Sequence, residues 1–500
     1  MRLSLLFCIA AVAAATAQVP DIRFELVQPE LFSTPGAQPN AWADFDDDGD
    51  IDLFVGLRGA ANRLYRNDRG VFTDVAAAVG LADSLDTRAA AWGDYDADGD
   101  ADLYVGWAAA GDEPNRIYRN DKGRFTNVTR ELGIDVRGIS RQPAWVDYDG
   151  DGDLDLFAAF RDRANRLLRN DRGRFVDISK DSGIDDPRKT VGAVWWDADA
   201  DGDLDLFVAN QEGDANGFYR NDAGRFTDVA SEVGVAAAGR PKDEGGVGPA
   251  VADFDHDGDF DLFVANYGAN ALYRNDKGRF TDIAVASGVA GRAHITTASW
   301  GDVNGDGWPD VYTDAITGDA APYRDALFLN SGAAGAQGGW RFTDVFAQLA
   351  VKGDATHGVQ WADYDGNGTL DLALANNDPK TGAHPLLRNV SAQRGRVFGV
   401  RVVNGRGRMT LAGAEVRVFA AGTRTLLSSG LVDSGGGYCA QNLMPVYVAA
   451  SMTGKVDVEV TAVRGEARIS QGALTVTTDC HPSCGGQACH SAAWRAAGAY

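Results

Sequence analysis

Seven times along the chain, carboxylates fall on alternate positions ahead of a glycine, and another acid follows three residues later. The first copy reads DFDDDGDID from Asp44, and the frame D-x-[DN]-x-[DN]-G-x-x-D returns at Asp94, Asp147, Asp197, Asp253, Asp302 and Asp363. Oxygen donors on a tightly turning loop suit a hard cation such as Ca2+, which gathers its ligands at about 2.3–2.6 Å. Positions one, three, five and nine offer side chains, and position seven a backbone carbonyl. The expected ligand sets are Asp44, Asp46, Asp48, Asp50 and Asp52 in the first copy, then Asp94, Asp96, Asp98, Asp100 and Asp102 in the second. The third has Asp147, Asp149, Asp151, Asp153 and Asp155, and the fourth Asp197, Asp199, Asp201, Asp203 and Asp205. Asp253, Asp255, Asp257, Asp259 and Asp261 make the fifth. The last two are leaner in charge: Asp302, Asn304, Asp306, Trp308 and Asp310, and Asp363, Asp365, Asn367, Thr369 and Asp371. Up to seven structural Ca2+ ions are expected.

An EF-hand needs an acid at position twelve and flanking helices. Position twelve here is Val55, Val105, Ala158, Val208, Val264, Thr313 or Leu374. A metal enzyme would single out one site with an open position and a nearby base. Seven near-equivalent loops point instead to metal that shapes turns, and no enzymatic activity is expected.

The loops must be held by strands. Each is preceded by a short apolar strand (PNAWA, AAAWG, QPAWV and relatives) and followed by another (LFVG, LYVG, LFAA). Then comes a hairpin with an Asn-Asp-x-Gly turn, as in NRLYRNDRGVFTDVA from Asn62. Four strands in about 50 residues, repeated, are the signature of β-propeller blades. The fold class is therefore all-β, a seven-bladed propeller. Trp42, Trp92, Trp145, Trp195, Trp300 and Trp361 stand two positions before the first Asp, where the fifth copy has Val251, and mostly small residues stand one position before it. Side chains alternate across a strand, so each sheet offers a large ring on one face and a gap on the other. The outer-strand motif F-T-D-V has six copies for seven loops. Phe24-Glu25-Leu26-Val27 near the N-terminus is expected to supply the seventh and close the ring.

Beyond Asn389 the Asp loops stop and alternating β sequence takes over, in RVFGVRVVN, AEVRVFA and KVDVEVTAV, as expected of a small β-sandwich-like domain. The Asp repeats resemble the FG-GAP/VCBS repeats of integrin-α-type propellers. The stretch LAGAEVRVFAAGTRTLLSSGLVDSGGGYCAQNLMPVYVAA, followed by KVDVEVTAVRG, resembles the ASPIC/UnbV domain. Together they resemble the cartilage acidic protein family, which implies secretion, calcium binding and an interaction role in matrix or at cell surfaces, without established catalysis. The expected organisation is a signal peptide over 1–17, a propeller over 18–391, an ASPIC/UnbV-like domain over 392–478 and a Cys-containing tail over 479–500.

Acids outnumber bases by 71 to 47, for a formal charge of −24, which argues against nucleic acid as a partner. MRLSLLFCIAAVAAATAQ has a basic start, an apolar run and a small-residue cleavage site at Ala15-Thr16-Ala17. A secreted protein with no membrane span follows, periplasmic or cell-surface in a bacterium. Four cysteines remain after cleavage, Cys439, Cys480, Cys484 and Cys489, and two disulfides are expected, with three pairings open. Asn127 and Asn389 fit the glycosylation pattern, and Asn367 fits it within an expected calcium loop. In integrin-like blades the loops opposite the calcium face would carry Arg58, Arg88, Trp107, Arg141, Arg161, Arg188, Lys189, Tyr267, His294 and His357. This basic and aromatic rim is the expected contact for an extracellular protein or glycan, on a monomeric scaffold. The competing expectation is a polysaccharide-binding lectin or polysaccharide-active enzyme on the same propeller.

Overall fold

The computed structural model describes residues 21–108, 113–316, 325–332, 339–349, 356–436, 438–451, 455–464, 467–470 and 475–478. The expected signal peptide and the tail with Cys480, Cys484 and Cys489 lie outside the described residues.

Each repeat folds as an antiparallel sheet whose strands pair in chain order, because its apolar runs are joined by turns too short for crossovers. In blade one these strands are Ala37–Ala43, Asp52–Leu57, Arg63–Asp68 and Val71–Asp74. Blades two to six start at Thr87, Ser140, Thr190, Gly245 and Ala298. Among the described residues seven such sheets stand in a ring, each inner strand packed beside the next, and Thr356–Ala362 against Ala37–Ala43 of blade one. Blade seven takes its outer strand from the start of the chain. Phe24–Val27 pairs antiparallel with Leu386–Asn389, Phe24 opposite Asn389.

The hairpin of blade one turns through Arg69 (φ 53°) and Gly70 (φ 84°). Both central residues are left-handed, as the two-residue turn that matches strand twist requires. Large and small residues mesh between blades. A Cβ on Gly93 would lie 2.6 Å from the Trp145 ring, and one on Gly301 2.8 Å from Trp361. Trp145 Nε1 also donates to the Ala91 carbonyl of blade two at 3.3 Å. One-turn helices follow several outer strands, as at Ala76–Val79 and Ser179–Ser182. They are too short to show a helical period in the sequence.

A second tie between blades runs through the hairpin asparagine. Asn67, Asn120, Asn170, Asn221, Asn275, Asn330 and Asn389 are buried. Each donates through Nδ2 to a backbone carbonyl in the Asp loop of the preceding blade, namely that of Tyr364, Phe45, Tyr95, Tyr148, Ala198, Phe254 and Val303, at 2.8–3.1 Å. Asn170 Nδ2 reaches the Leu154 carbonyl too, and its Oδ1 accepts from Gly173 N–H. Asn170→Ala would strand these buried groups at about 1–3 kcal/mol apiece. Urea unfolding should show a lower midpoint with unchanged slope; a midpoint equal to the parent's would remove this clamp from the account. Asn389 is thereby committed to the interior, and of the three glycosylation motifs only that of Asn127 has an exposed asparagine.

The C-terminal strands form two facing sheets. One joins Val446–Ser451, Gly395–Val403 and Thr475–Thr478. The other joins Leu426–Leu431, Glu415–Ala420, Val456–Arg464 and Ala467–Ser470. Val400, Val402, Val416, Val418, Val446, Val448 and Val460 make the core between them. This domain is not separate from the ring. Its loop 433–444 leaves the sandwich and enters the propeller channel, where Ala440–Gln441 adds as a parallel strand to Thr87–Gly93 of blade two.

The inner strands of a propeller present unpaired backbone to the channel, and this loop satisfies them. Gln441 Oε1 accepts from Trp145 N–H (2.7 Å) while its Nε2 donates to the Trp145 carbonyl (3.0 Å). Asn442 Oδ1 accepts from Trp42 N–H (2.9 Å), and Leu443 N–H donates to the Trp42 carbonyl. Ser434 Oγ donates to the Trp195 carbonyl. One loop thereby pairs with the edges of four blades, the edge problem that closed and covered sheets avoid.

Candidate functional site

The Asp loops owe their shape to left-handed residues at positions four and six. Position four is Asp47, Ala97, Gly150, Ala200, His256, Gly305 or Gly366, with φ from 57° to 73°, and position six is always a glycine of φ above 80°. In blade one the first Asp then caps its own loop: Asp44 Oδ1 accepts from Asp48 N–H and Oδ2 from Gly49 N–H, both at 3.1 Å.

In blades two to five the first, third and ninth residues bring one oxygen each within 4.8 Å of one another, as with Asp94, Asp96 and Asp102; in blade one the group is Asp44, Asp46 and Asp48. The fifth residue bends back to accept from the N–H of the seventh, as in Asp98 to Asp100 and Asp151 to Asp153, both at 2.9 Å. The seventh turns away. Asp50, Asp100, Asp153, Asp203 and Asp259 accept from the hairpin N–H groups of Arg69, Lys122, Arg172, Ala223 and Lys277 at 2.9–3.1 Å. This leaves the carbonyl, rather than the side chain, as the atom that position seven can offer a cation. In blade six Trp308 instead stacks on His256 of blade five at 4.0 Å. Thr369 in blade seven donates through its hydroxyl to the Asn389 carbonyl at 3.3 Å.

The ninth residue is the most deeply held. Asp52 is fully buried, with Oδ1 accepting from Asn67 N–H (2.8 Å) and Oδ2 from Phe45 N–H (3.1 Å). Burial pushes the carboxyls of Asp52, Asp102 and Asp155 up to about 9, against the lowering effect of these amides. Asp44 and Asp94 are pushed up to about 6 and Asp253 to about 8, first by burial and also by neighbouring carboxylates. Several buried oxygens have no hydrogen-bond partner: Asp46 Oδ1, both of Asp94, Asp147 Oδ1, Asp199 Oδ1, Asp253 Oδ1 and Asn304 Oδ1. Crowded, desolvated, unpartnered carboxylate oxygens on one loop fit a divalent cation, whose charge would reverse the penalty of ionising them.

The sandwich domain lies over this face and lays arginines against the loops. Arg394 pairs with Asp306 at 2.8 Å, and Arg417 Nη2 donates to the Gly258 carbonyl at 2.7 Å with its guanidinium over the Phe260 ring. Arg408 packs on Gly99, and Arg396 beside Gly368.

The opposite rim departs from its sequence reading. Trp107, Arg141 and His357 are buried, at 4 %, 5 % and 3 % exposure. Trp107 donates to the Pro114 carbonyl at 2.9 Å, and Arg116 covers its ring. His357 meets the Tyr438 ring edge-on at 5.1 Å. Arg141 and His357 stand at the start of inner strands, which line the channel, so their side chains turn inward; Trp107 ends a second strand and packs between blades one and two. The remaining rim cations are matched by acids: Arg58 faces Asp86 at 3.9 Å, Arg161 and Lys189 share Glu212 at 2.9 and 2.6 Å, and Arg188 binds Asp186 and Asp228 at 2.8 and 2.7 Å. The rim is therefore mixed in charge, not basic. His294 is exposed and stacks on Tyr267 at 4.6 Å.

Cys439 sits at the inner end of the loop in the channel, fully buried and in no disulfide among the described residues; Cys480, Cys484 and Cys489 lie outside them. The expectation of a disulfide from this residue meets a side chain packed with Ala89, Val191, Val247 and Tyr438. Two sets of residues escaped the sequence reading. The hairpin asparagines recur in every repeat, a signal that was present but was absorbed by the turn. The channel loop carries no repeat signal at all.

The FG-GAP-like repeat model matches residues 44–105, 107–158, 147–208, 197–264 and 253–313. No curated protein matches the chain. Among solved structures, an Agrocybe aegerita lectin, described as recognising non-reducing terminal N-acetylglucosamine, is 16 % identical with TM-score 0.39, over 74 % of this chain and 94 % of the lectin. BBS1N, solved in complex with ARL6DN, is 12 % identical with TM-score 0.44, over 71 % of this chain and 93 % of its own. The extracellular domain of a hybrid two-component system from B. thetaiotaomicron is 11 % identical with TM-score 0.43, over 89 % of this chain and 51 % of that one. Among the described residues, no helix is long and apolar enough to cross a membrane.

Proposed function

Since the chain belongs to the FG-GAP-like repeat family, we propose that it is a secreted, calcium-stabilised interaction scaffold whose propeller meets an extracellular protein or glycan. The observation that carries this reading is the position of the C-terminal sandwich. It covers the Asp-loop face with Arg394, Arg408 and Arg417 and leaves the opposite face to a partner. The loops are clips for turns, with Ca2+ held by the first, third and ninth residues and the carbonyl of the seventh. When bound, the ion would supply charge compensation and rigidity. The role is non-catalytic, because chemistry calls for one site that differs from its fellows. Kinship with the cartilage acidic protein family, with an ASPIC/UnbV domain as the cap, is part of the same proposal and rests on the sequence motifs. Secretion rests on the N-terminal apolar run.

A lectin-like variant has one observation in its favour. A cavity of about 190 Å³ lies between blades five to seven and the channel loop, lined by Trp300, Trp361, Gln360, Asp433, Asn442 and Tyr447. Aromatic rings beside amides and a carboxylate are suited to a sugar ring.

A glycan array and a screen of extracellular proteins, each run in Ca2+, test the proposal. A specific binder is expected. The Arg58→Glu/Arg161→Glu double variant should weaken it by about tenfold through like-charge contact at the rim. Retention undiminished by that variant would take the rim out of the interface, and absence of any binder would sink the scaffold reading.

A further inference from the structure

We propose that the channel mouth opposite the Asp loops holds an oxyanion-binding site between Arg88 and Arg141, floored by Tyr438 and Cys439, and that it takes a carboxylate or sulfate group. This deepens the reading that the same mouth faces the partner, and names the chemistry the partner would present.

Arg141 is 5 % exposed. Its Nη1 donates to the neighbouring Ser140 carbonyl at 2.7 Å, and its Nε has no partner. Arg88 is half-buried at the solvent edge of the same mouth. It donates to Gln38 Oε1 and to the Tyr438 hydroxyl, both neutral, lies 5.1 Å over the Tyr438 ring, and leaves its own Nε unpartnered. Gln38 Nε2 is likewise buried without an acceptor.

Neither guanidinium forms an ion pair among the described residues, whereas Arg58, Arg161 and Arg188 on the surrounding rim all do. The groups acting on Arg141 are the cations Arg88 and Arg161 together with Tyr438 and Cys439. Burial, with Arg88 beside it, lowers its guanidinium only to about 10, so it is charged at neutral pH. The buried carboxylate Asp314, near Tyr267, is committed to the N–H groups of Thr296 and Thr297, at 2.7 and 2.6 Å, and to the Thr296 hydroxyl.

Taking a charge out of water without a counter-ion is expensive, and a second like charge beside it adds to the cost. An anion removes both penalties. Guanidinium N–H groups match the spacing of carboxylate and sulfate oxygens, which favours these over a spherical ion. The acidic composition of the chain makes the spot distinctive, since it concentrates uncompensated positive charge in a protein of net charge −24.

The test is calorimetric titration of the full chain in Ca2+ at low ionic strength with sodium sulfate, sodium acetate and sodium glucuronate. Sodium chloride serves as the ionic-strength control. Saturable binding of at least one oxyanion is expected, weakened about tenfold or more in Arg88→Gln and in Arg141→Gln. The exposed Arg225→Gln should leave it unchanged. Should Arg141→Gln fail to fold, Arg88→Gln decides, because that side chain is only half-buried. Glucuronate binding more tightly than acetate would support the site with an acid sugar as the source of the group. Equal affinity would support it with a carboxylate on any carrier. Absence of saturable binding, or equal affinity in Arg88→Gln, overturns the site. Oxyanion binding in a protein that captures nothing in the partner screens would uphold the site and reject the scaffold reading.

Discussion

In EDTA, the melting temperature should fall as pH rises from about 5 to about 8, whereas in Ca2+ it should be nearly flat over that range. The carboxyls of Asp52, Asp102 and Asp155 stand at about 9, and those of Asp44 and Asp94 at about 6, against 3.8 for a free side chain. Across the window between these values the metal-free fold holds protons that the unfolded chain has released. Stability therefore drops as pH rises through the window, the reverse of the behaviour of a carboxylate in a salt bridge. Each metal-free loop contributes at least on the order of 1 kcal/mol to the drop, since one pKa unit between the folded and unfolded carboxyl is about 1.4 kcal/mol. A bound ion removes the penalty and adds about 2.7 kcal/mol per site when present at 100 times its Kd. Over several loops, EDTA at about pH 8 should lower the melting temperature by at least about 10 °C. Equal pH profiles with and without EDTA would show that the loops need no metal.

Gln441→Leu/Asn442→Leu should cost several kcal/mol and loosen the ring. These side chains satisfy Trp145 N–H, the Trp145 carbonyl and Trp42 N–H inside the channel. Leucines of similar size would leave all three buried and unpaired, at about 1–3 kcal/mol each. Urea unfolding should report an earlier midpoint, and limited proteolysis should cut within 433–444. A variant with the parent's midpoint and protease resistance would mean that the loop merely rests in the channel.

Much of the ring was legible because its information repeats locally. The Asp frame, the Trp and small-residue parity and the Asn-Asp-x-Gly turns each lie within one blade, and the one missing outer strand had its counterpart at Phe24. What escaped is long-range. Asn67 reads as a turn residue, and only the ring shows its Nδ2 on the Tyr364 carbonyl, 297 residues away. The loop 433–444 is glycine-rich with no alternation, and its pairing partners are inner strands that any propeller leaves open. The rim was misplaced at Trp107, Arg141 and His357 because strand order gives the face of the disc but not whether a side chain turns to solvent, to the channel or, as Trp107 does, into the packing between blades. The positive charge expected at Arg58, Arg161, Lys189 and Arg188 is neutralised by Asp86, Glu212 and Asp186, whereas Arg88 and Arg141 at the channel mouth have no ion pair among the described residues.

The central claim is that the Asp loops are metal clips on a scaffold, and counting the metal tests it most directly. Elemental analysis of the purified protein after dialysis against micromolar Ca2+ should find several calcium ions per chain. Stepwise EDTA should remove them in parallel with a falling melting temperature. A protein that carries no calcium and melts identically in EDTA would contradict the account.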